Sequence, residues 1–158
     1  MIQTWLPLPS YKDSIECLSR EHLILQRLNI LEIMEEFHAI PEEDSALPGD
    51  YDSHDLDGHP VLDMWKGHEV QLVELGLQTC EHYVKLTGKE DPLYQRLANH
   101  QEWATSEDAD FSKPRWLGDV DFHLSHQSEL LRRDREHYVA YFTEDRDRKL
   151  IWPQSQYA

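Results

Sequence analysis

Between Ser19 and Gly88 the sequence contains two long stretches in which apolar residues return at helical spacing, and this limits the folds open to the chain more than any other feature. In the first, Leu23, Ile24, Ile30, Leu31, Met34 and Phe37 define one stripe and predict a helix over Arg20–Phe37, with Ser19 as its N-cap. Arg27 falls inside that stripe. A buried, unpaired charge costs several kcal/mol, so a carboxylate or several acceptors must meet it. The second stretch opens at His59-Pro60, where proline suits a first helical turn, and closes at Thr87-Gly88. Val61, Trp65, Leu72, Val73, Cys80, Tyr83 and Val84 form its apolar face. Gly67 and Gly76 lie inside it, each costing about 1 kcal/mol relative to alanine, and are read as places of close helix crossing.

The rest of the chain fits around these two. Pro7 and Pro9 make Met1–Pro9 an extended lead-in pinned by Trp5 and Leu6, followed by a helical turn over Lys12–Leu18. Asp91-Pro92 starts a third helix reaching Trp103, and Thr105–Lys113 is a polar connection. Helices follow over Asp121–Arg133 and Asp134–Phe142, then an irregular tail from 143 in which Trp152 docks back. No internal repeat or strand pattern appears. The expected class is all-α, a compact single-domain bundle of three to five helices spanning residues 1–158. Residues 41–57 carry seven acidic residues and no lysine or arginine, the composition of a solvated loop.

A formal charge of −16 opposes nucleic-acid binding, which draws on cationic side chains neutralising phosphates. It suits a basic protein partner better. No apolar run approaches the roughly 20 residues of a membrane span, and no signal-peptide layout opens the chain, so a cytoplasmic protein without membrane contact is expected. Cys17 and Cys80 lack metal-knuckle or disulfide-framework spacing and are read as small buried residues. No cofactor is expected.

The densest chemistry lies in Trp116–Tyr138, WLGDVDFHLSHQSELLRRDREHY. His123 and His126 sit one helical turn apart, but the sequence assigns no third metal ligand, although Asp119, Asp121 and His59 are conceivable. No metal is therefore assigned, and the pair is expected to hydrogen-bond within helix packing, one of them near His59. With His59, Arg27 and Asn29 they outline a candidate pocket. Arg132 and Arg133 are either phosphate contacts or partners of Glu129 and Asp134, and surface pairing is favoured. Trp65 and Trp116 are expected in the core.

Four segments, QTWLPLPSY, LSREHLILQRLNILEI, HPVLDMWKGHEVQLVELGLQTCEHY and the Trp116–Tyr138 stretch, together resemble an uncharacterised bacterial and phage family related to the pyrimidine-dimer DNA glycosylases of the phage endonuclease V type. The resemblance implies DNA as partner and attack by an amino-terminal amine on the sugar of a damaged nucleotide. A Schiff base follows, with a glutamate on the first long helix and arginines on phosphates. An amine suits the task because it keeps an appreciable neutral fraction at neutral pH. Carried onto this chain, the amine is that of Met1, since Ile2 is too bulky for the usual methionine removal. The glutamate position holds Asn29, with Glu32 and Glu36 one and two turns onward. Positions expected to be basic hold Leu25, Leu124 and Gln127. Arg27, His59, His123, His126 and Arg133 remain as substrate-binding candidates. The resemblance thus implies a pyrimidine-dimer DNA glycosylase-like protein that has degenerated. The alternative is a non-catalytic acidic protein that binds a basic host protein, standing in for DNA.

Overall fold

The computed structural model describes residues 1–38, 47, 51–106 and 108–154. Its described residues form seven helices and no strand: α1 (Tyr11–Cys17), α2 (Arg20–Phe37), α3 (Pro60–Trp65), α4 (Glu69–Thr87), α5 (Pro92–Ala104), α6 (Val120–Arg133) and α7 (Arg135–Tyr138). The class is all-α. Four of these, α2, α4, α5 and α6, are long enough to form the bundle, and the other three are single turns or little more. Local chemistry sets their ends. Ser19 accepts from the His22 amide, Asp91 from Leu93 and Asp119 from Phe122, while Gly88 closes α4 in the left-handed conformation.

The helix expected to run unbroken from Pro60 to Thr87 is two. Gly67 adopts a φ of +82°, a value that ends α3 and re-aims the chain into α4. Gly76, in contrast, does mark a close crossing: a Cβ placed there would stand 2.8 Å from Ile30 Cγ2 and 3.0 Å from Leu97 Cδ1. The bundle's centre is therefore the point where α4 passes between α2 and α5.

Helix α2 is not amphipathic in the way its stripe suggests. From Leu28 to Met34 every residue is buried, polar ones included, whereas Ile24 and Phe37 are only half-buried. The reason lies at long range. The amino-terminal lead-in covers the face of α2 that would otherwise meet water, with Ile2, Gln3, Thr4, Trp5 and Leu6 all buried.

This lead-in is extended but has no partner strand, so side chains satisfy its backbone instead. Asn29 donates to the Gln3 carbonyl at 3.3 Å, Gln26 accepts from the Trp5 amide, and Gln127 donates to the Pro7 carbonyl at 2.8 Å. Ser14 bridges both the amide and the carbonyl of Leu8, and Trp65 donates to the Thr4 hydroxyl at 3.0 Å. Trp65 and Trp116 pack edge-to-face in the core, with ring centroids 5.0 Å apart.

The tail beyond Phe142 has no helix but is tied down. Arg132 donates to the carbonyls of Arg146 and Arg148, Ser125 accepts from the Ile151 amide, and Trp152 packs against His59. Residues 41–46 and 48–50 of the acidic stretch lie outside the described residues. Its latter part departs from a solvated loop, because Leu56 is buried and Tyr51 and His54 bond to α2. Cys17 and Cys80 are buried and free.

Candidate functional site at the amino-terminal strand

His123 and His126 both serve the lead-in. His126 Nδ1 accepts from the Leu6 amide at 2.9 Å, while His123 Nδ1 lies 2.7 Å from the Leu6 carbonyl and so must donate. The second nitrogen of His123 accepts from the Gly118 amide at 2.8 Å, which fixes the opposite tautomer from that of His126. The two rings hold one residue by both of its backbone groups. Each must be neutral, and burial lowers both, His126 to about 3 with a further push from His123. The expected hydrogen bonding within helix packing is present, but with Leu6 and Gly118 as partners rather than His59.

Asn29 is 3% exposed and committed on both sides. Its amide nitrogen reaches the Gln3 carbonyl, and its oxygen accepts from the Tyr51 hydroxyl at 2.9 Å. Glu32, one turn on, is also buried. Its carboxylate shares the single Tyr51 hydroxyl proton with Asn29, at 2.7 Å, and accepts from the His54 amide and from His54 Nδ1 at 3.0 Å. Burial and the bond to Glu32 raise Tyr51 well above the ordinary tyrosine range. Glu36 is exposed. The Glu32–Tyr51–His54 group has no local signature, since its partners come from segments separated by 19 and 22 residues. No sequence signal pointed to it, since Glu32 falls outside the apolar stripe of α2.

Met1 is exposed, and its sulfur lies 3.6 Å from Arg133 Nη2. Arg133 also stands over the Trp5 ring at 5.7 Å and pairs with Glu129 at 2.9 Å. His59 caps α3 by accepting from Val61 at 3.1 Å. Burial lowers it, with a further push from His54 and the amino terminus, and its ring packs against Trp152. Met1, Asn29 and Arg133 thus lie along the lead-in, with Glu32, Tyr51 and His54 beside Asn29, while His59 contacts Val61 and Trp152.

Arg27 does not join them. Two residues before Asn29, it points about 200° away around the helix. There it meets Asp91 at 2.7 Å and stacks over the Tyr83 ring at 4.2 Å, the carboxylate partner its burial demands. Arg132 pairs with Glu129 as well, so surface pairing describes both arginines. No three metal-ligating side chains come together among the described residues. Clefts among the described residues include one beside Gly67 and Trp103, one between residues 9–12, α4 and Phe111, and one between α1 and α4; Met1, Asn29, His59 and Arg133 line none of these three.

Fold and site define an all-helical protein whose amino-terminal segment is laid along a polar centre on α2. The family described as pyrimidine dimer DNA glycosylase matches residues 2–96, more than half of the chain, from the lead-in into α5, and the chain belongs to that family. No curated protein and no solved structure matches it. Among the described residues, no helix is long and apolar enough to cross a membrane.

Proposed function

We propose that this chain is a degenerate pyrimidine-dimer DNA glycosylase, a member that keeps the scaffold of its family and has lost excision of the damaged base. The condition of Asn29 carries the reading. Breaking an N-glycosidic bond builds positive charge on the sugar, which a carboxylate stabilises and an amide does not. The side chain at this position is instead a structural tie between the lead-in and Tyr51. Glu32, the neighbouring carboxylate, has both oxygens occupied by donors of the protein itself. Arginines suited to phosphate are occupied too: Arg27 by Asp91, Arg132 and Arg133 by Glu129, and Arg135 by Glu144.

The test is incubation with duplex DNA carrying a single thymine dimer, with and without borohydride. Neither base release nor an adduct at the Met1 amine is expected, and catalytic excision would overturn the proposal. Asn29→Glu alone is not expected to restore it. That change removes the donor to Gln3 and sets two carboxylates around one Tyr51 hydroxyl, an arrangement that disfavours ionisation of one of them.

A second reading is favoured by the formal charge of −16 together with the paired arginines. In it, the acidic surface receives a basic protein. Such a complex forms at low salt and dissociates at high salt, and a partner insensitive to salt would argue against it.

A further inference from the structure

The geometry points to a binding site for a divalent transition-metal ion, Zn²⁺ or Cu²⁺ by its ligand chemistry, where the carboxyl-terminal ends of α2 and α5 meet at His38 and His100. The site stands apart from the lead-in and does not depend on the family reading above. The two Nδ1 atoms are 3.2 Å apart, with the ring planes at 83°. Two nitrogens each about 2.0–2.1 Å from one tetrahedral ion stand about 3.3–3.4 Å from each other, so the pair already has the span of two ligands on a common metal. Imidazole suits zinc and copper alike. His100 is 2% exposed, and burial, then the charge of His38, lowers it to about 4, so at neutral pH it is in the uncharged form that ligates. His38, the half-buried C-cap of α2, is held by stacking on Trp103, with ring centroids 4.7 Å apart and planes within 5°. One ligand is fixed inside the bundle and the other reaches its surface.

Electrostatics at the same point favour a cation. The carboxyl end of a helix carries partial negative charge, which lysine, arginine or charged histidine in the last turn offsets. The last turns of α2 and α5 hold no basic residue, and they carry Glu35, Glu36 and Glu102 instead. A hydrogen bond between the imidazoles accounts for their contact, since one proton between two Nδ1 atoms satisfies both. It leaves the two helix ends and their glutamates without a cation, whereas a dication offsets both ends at once. Binding moves the shared proton to Nε2 of its own ring, so both ligands stay neutral. No third ligating side chain joins the pair among the described residues, and water takes the remaining positions. The ion is therefore an exchangeable staple between α2 and α5.

Calorimetric titration of the full chain with Zn²⁺ alone, paired with thermal unfolding in Zn²⁺ and in EDTA, tests this. The wild type should bind the ion and unfold at a higher temperature with it than without, because an ion held only by the folded state stabilises that state. His38→Ala and His100→Gln should each weaken binding by about 100-fold, the upper range for loss of a group that merely supports a ligand, and should abolish the zinc-dependent shift in midpoint. Cu²⁺ gives a local readout. Because Trp103 lies against the His38 ring, Cu²⁺ should quench part of the wild-type tryptophan fluorescence, and that part should be missing in Trp103→Phe and in His38→Ala. His38 is at a helix end and only half-buried, so its variant serves even where loss of the buried His100 unfolds the chain. No zinc binding by the wild type, or binding and quenching that persist unchanged in His38→Ala, would overturn the inference. Neither result bears on thymine-dimer excision, which is measured separately.

Discussion

Leu6 is gripped by two imidazoles in opposite proton forms, and this makes the fold sensitive to acid. Protonating His126 removes the acceptor of the Leu6 amide, and protonating His123 removes the acceptor of the Gly118 amide. Burial depresses both, and His100, beside His38, is lowered to about 4. In the unfolded chain a histidine titrates near about 6.5, so below that pH the unfolded state binds protons that the folded state refuses. Stability is therefore complete above about pH 6.5 and lost as pH falls toward the folded values, with a slope of up to about 1.4 kcal/mol per pH unit for each such site. Urea titrations should show a lower midpoint at about pH 5 than at about pH 7.5. His126→Asn, whose side-chain oxygen can take the place of Nδ1, should flatten that dependence, and an unchanged profile would refute the clamp as its source.

Two glycines that look alike in the sequence behave differently at the level of elements. Gly76→Ala drives a methyl group against Ile30 and Leu97, so overpacking of about 1–3 kcal/mol exceeds the gain of about 1 kcal/mol in helix propensity. Gly67→Ala meets its cost in the backbone, where a φ of +82° disfavours any side chain by about 1–2 kcal/mol. Both substitutions should lower the thermal midpoint, but only at position 76 should trimming the neighbour, in the double variant with Leu97→Ala, make the combined loss smaller than the sum. Helix starts and stops were legible because Ser19, Asp91-Pro92 and Gly88 act on their own turns. The break at Gly67 was not, since a helical pattern continues on both sides of it. The all-round burial of α2 and the meeting of Glu32 with His54 were hidden for another reason: they depend on segments that carry no periodicity and are brought in from a distance. At the site, Asn29 was recognisable only through the family resemblance, while the partners of His123 and His126 lay 117 and 120 residues away.

For the molecule as a whole, a formal charge of −16 acts against any nucleic-acid partner at long range. Fluorescence anisotropy with undamaged duplex DNA should show weak binding at both about 50 and about 200 mM salt, without the steep decline of a protein that neutralises many phosphates. Tight binding with a steep salt slope would reveal a basic groove that the paired arginines do not suggest. The buried lead-in also governs the order in which the molecule is assembled. The backbone of residues 3–7 has partners that include His126 and Gln127, more than a hundred residues further along the chain. Contacts of such separation form late because loop-closure entropy must be met before they stabilise anything. This segment is thus the last to be locked. In pulse-labelled hydrogen exchange during refolding, the Leu6 amide should gain protection after the helical amides of α4 and α5.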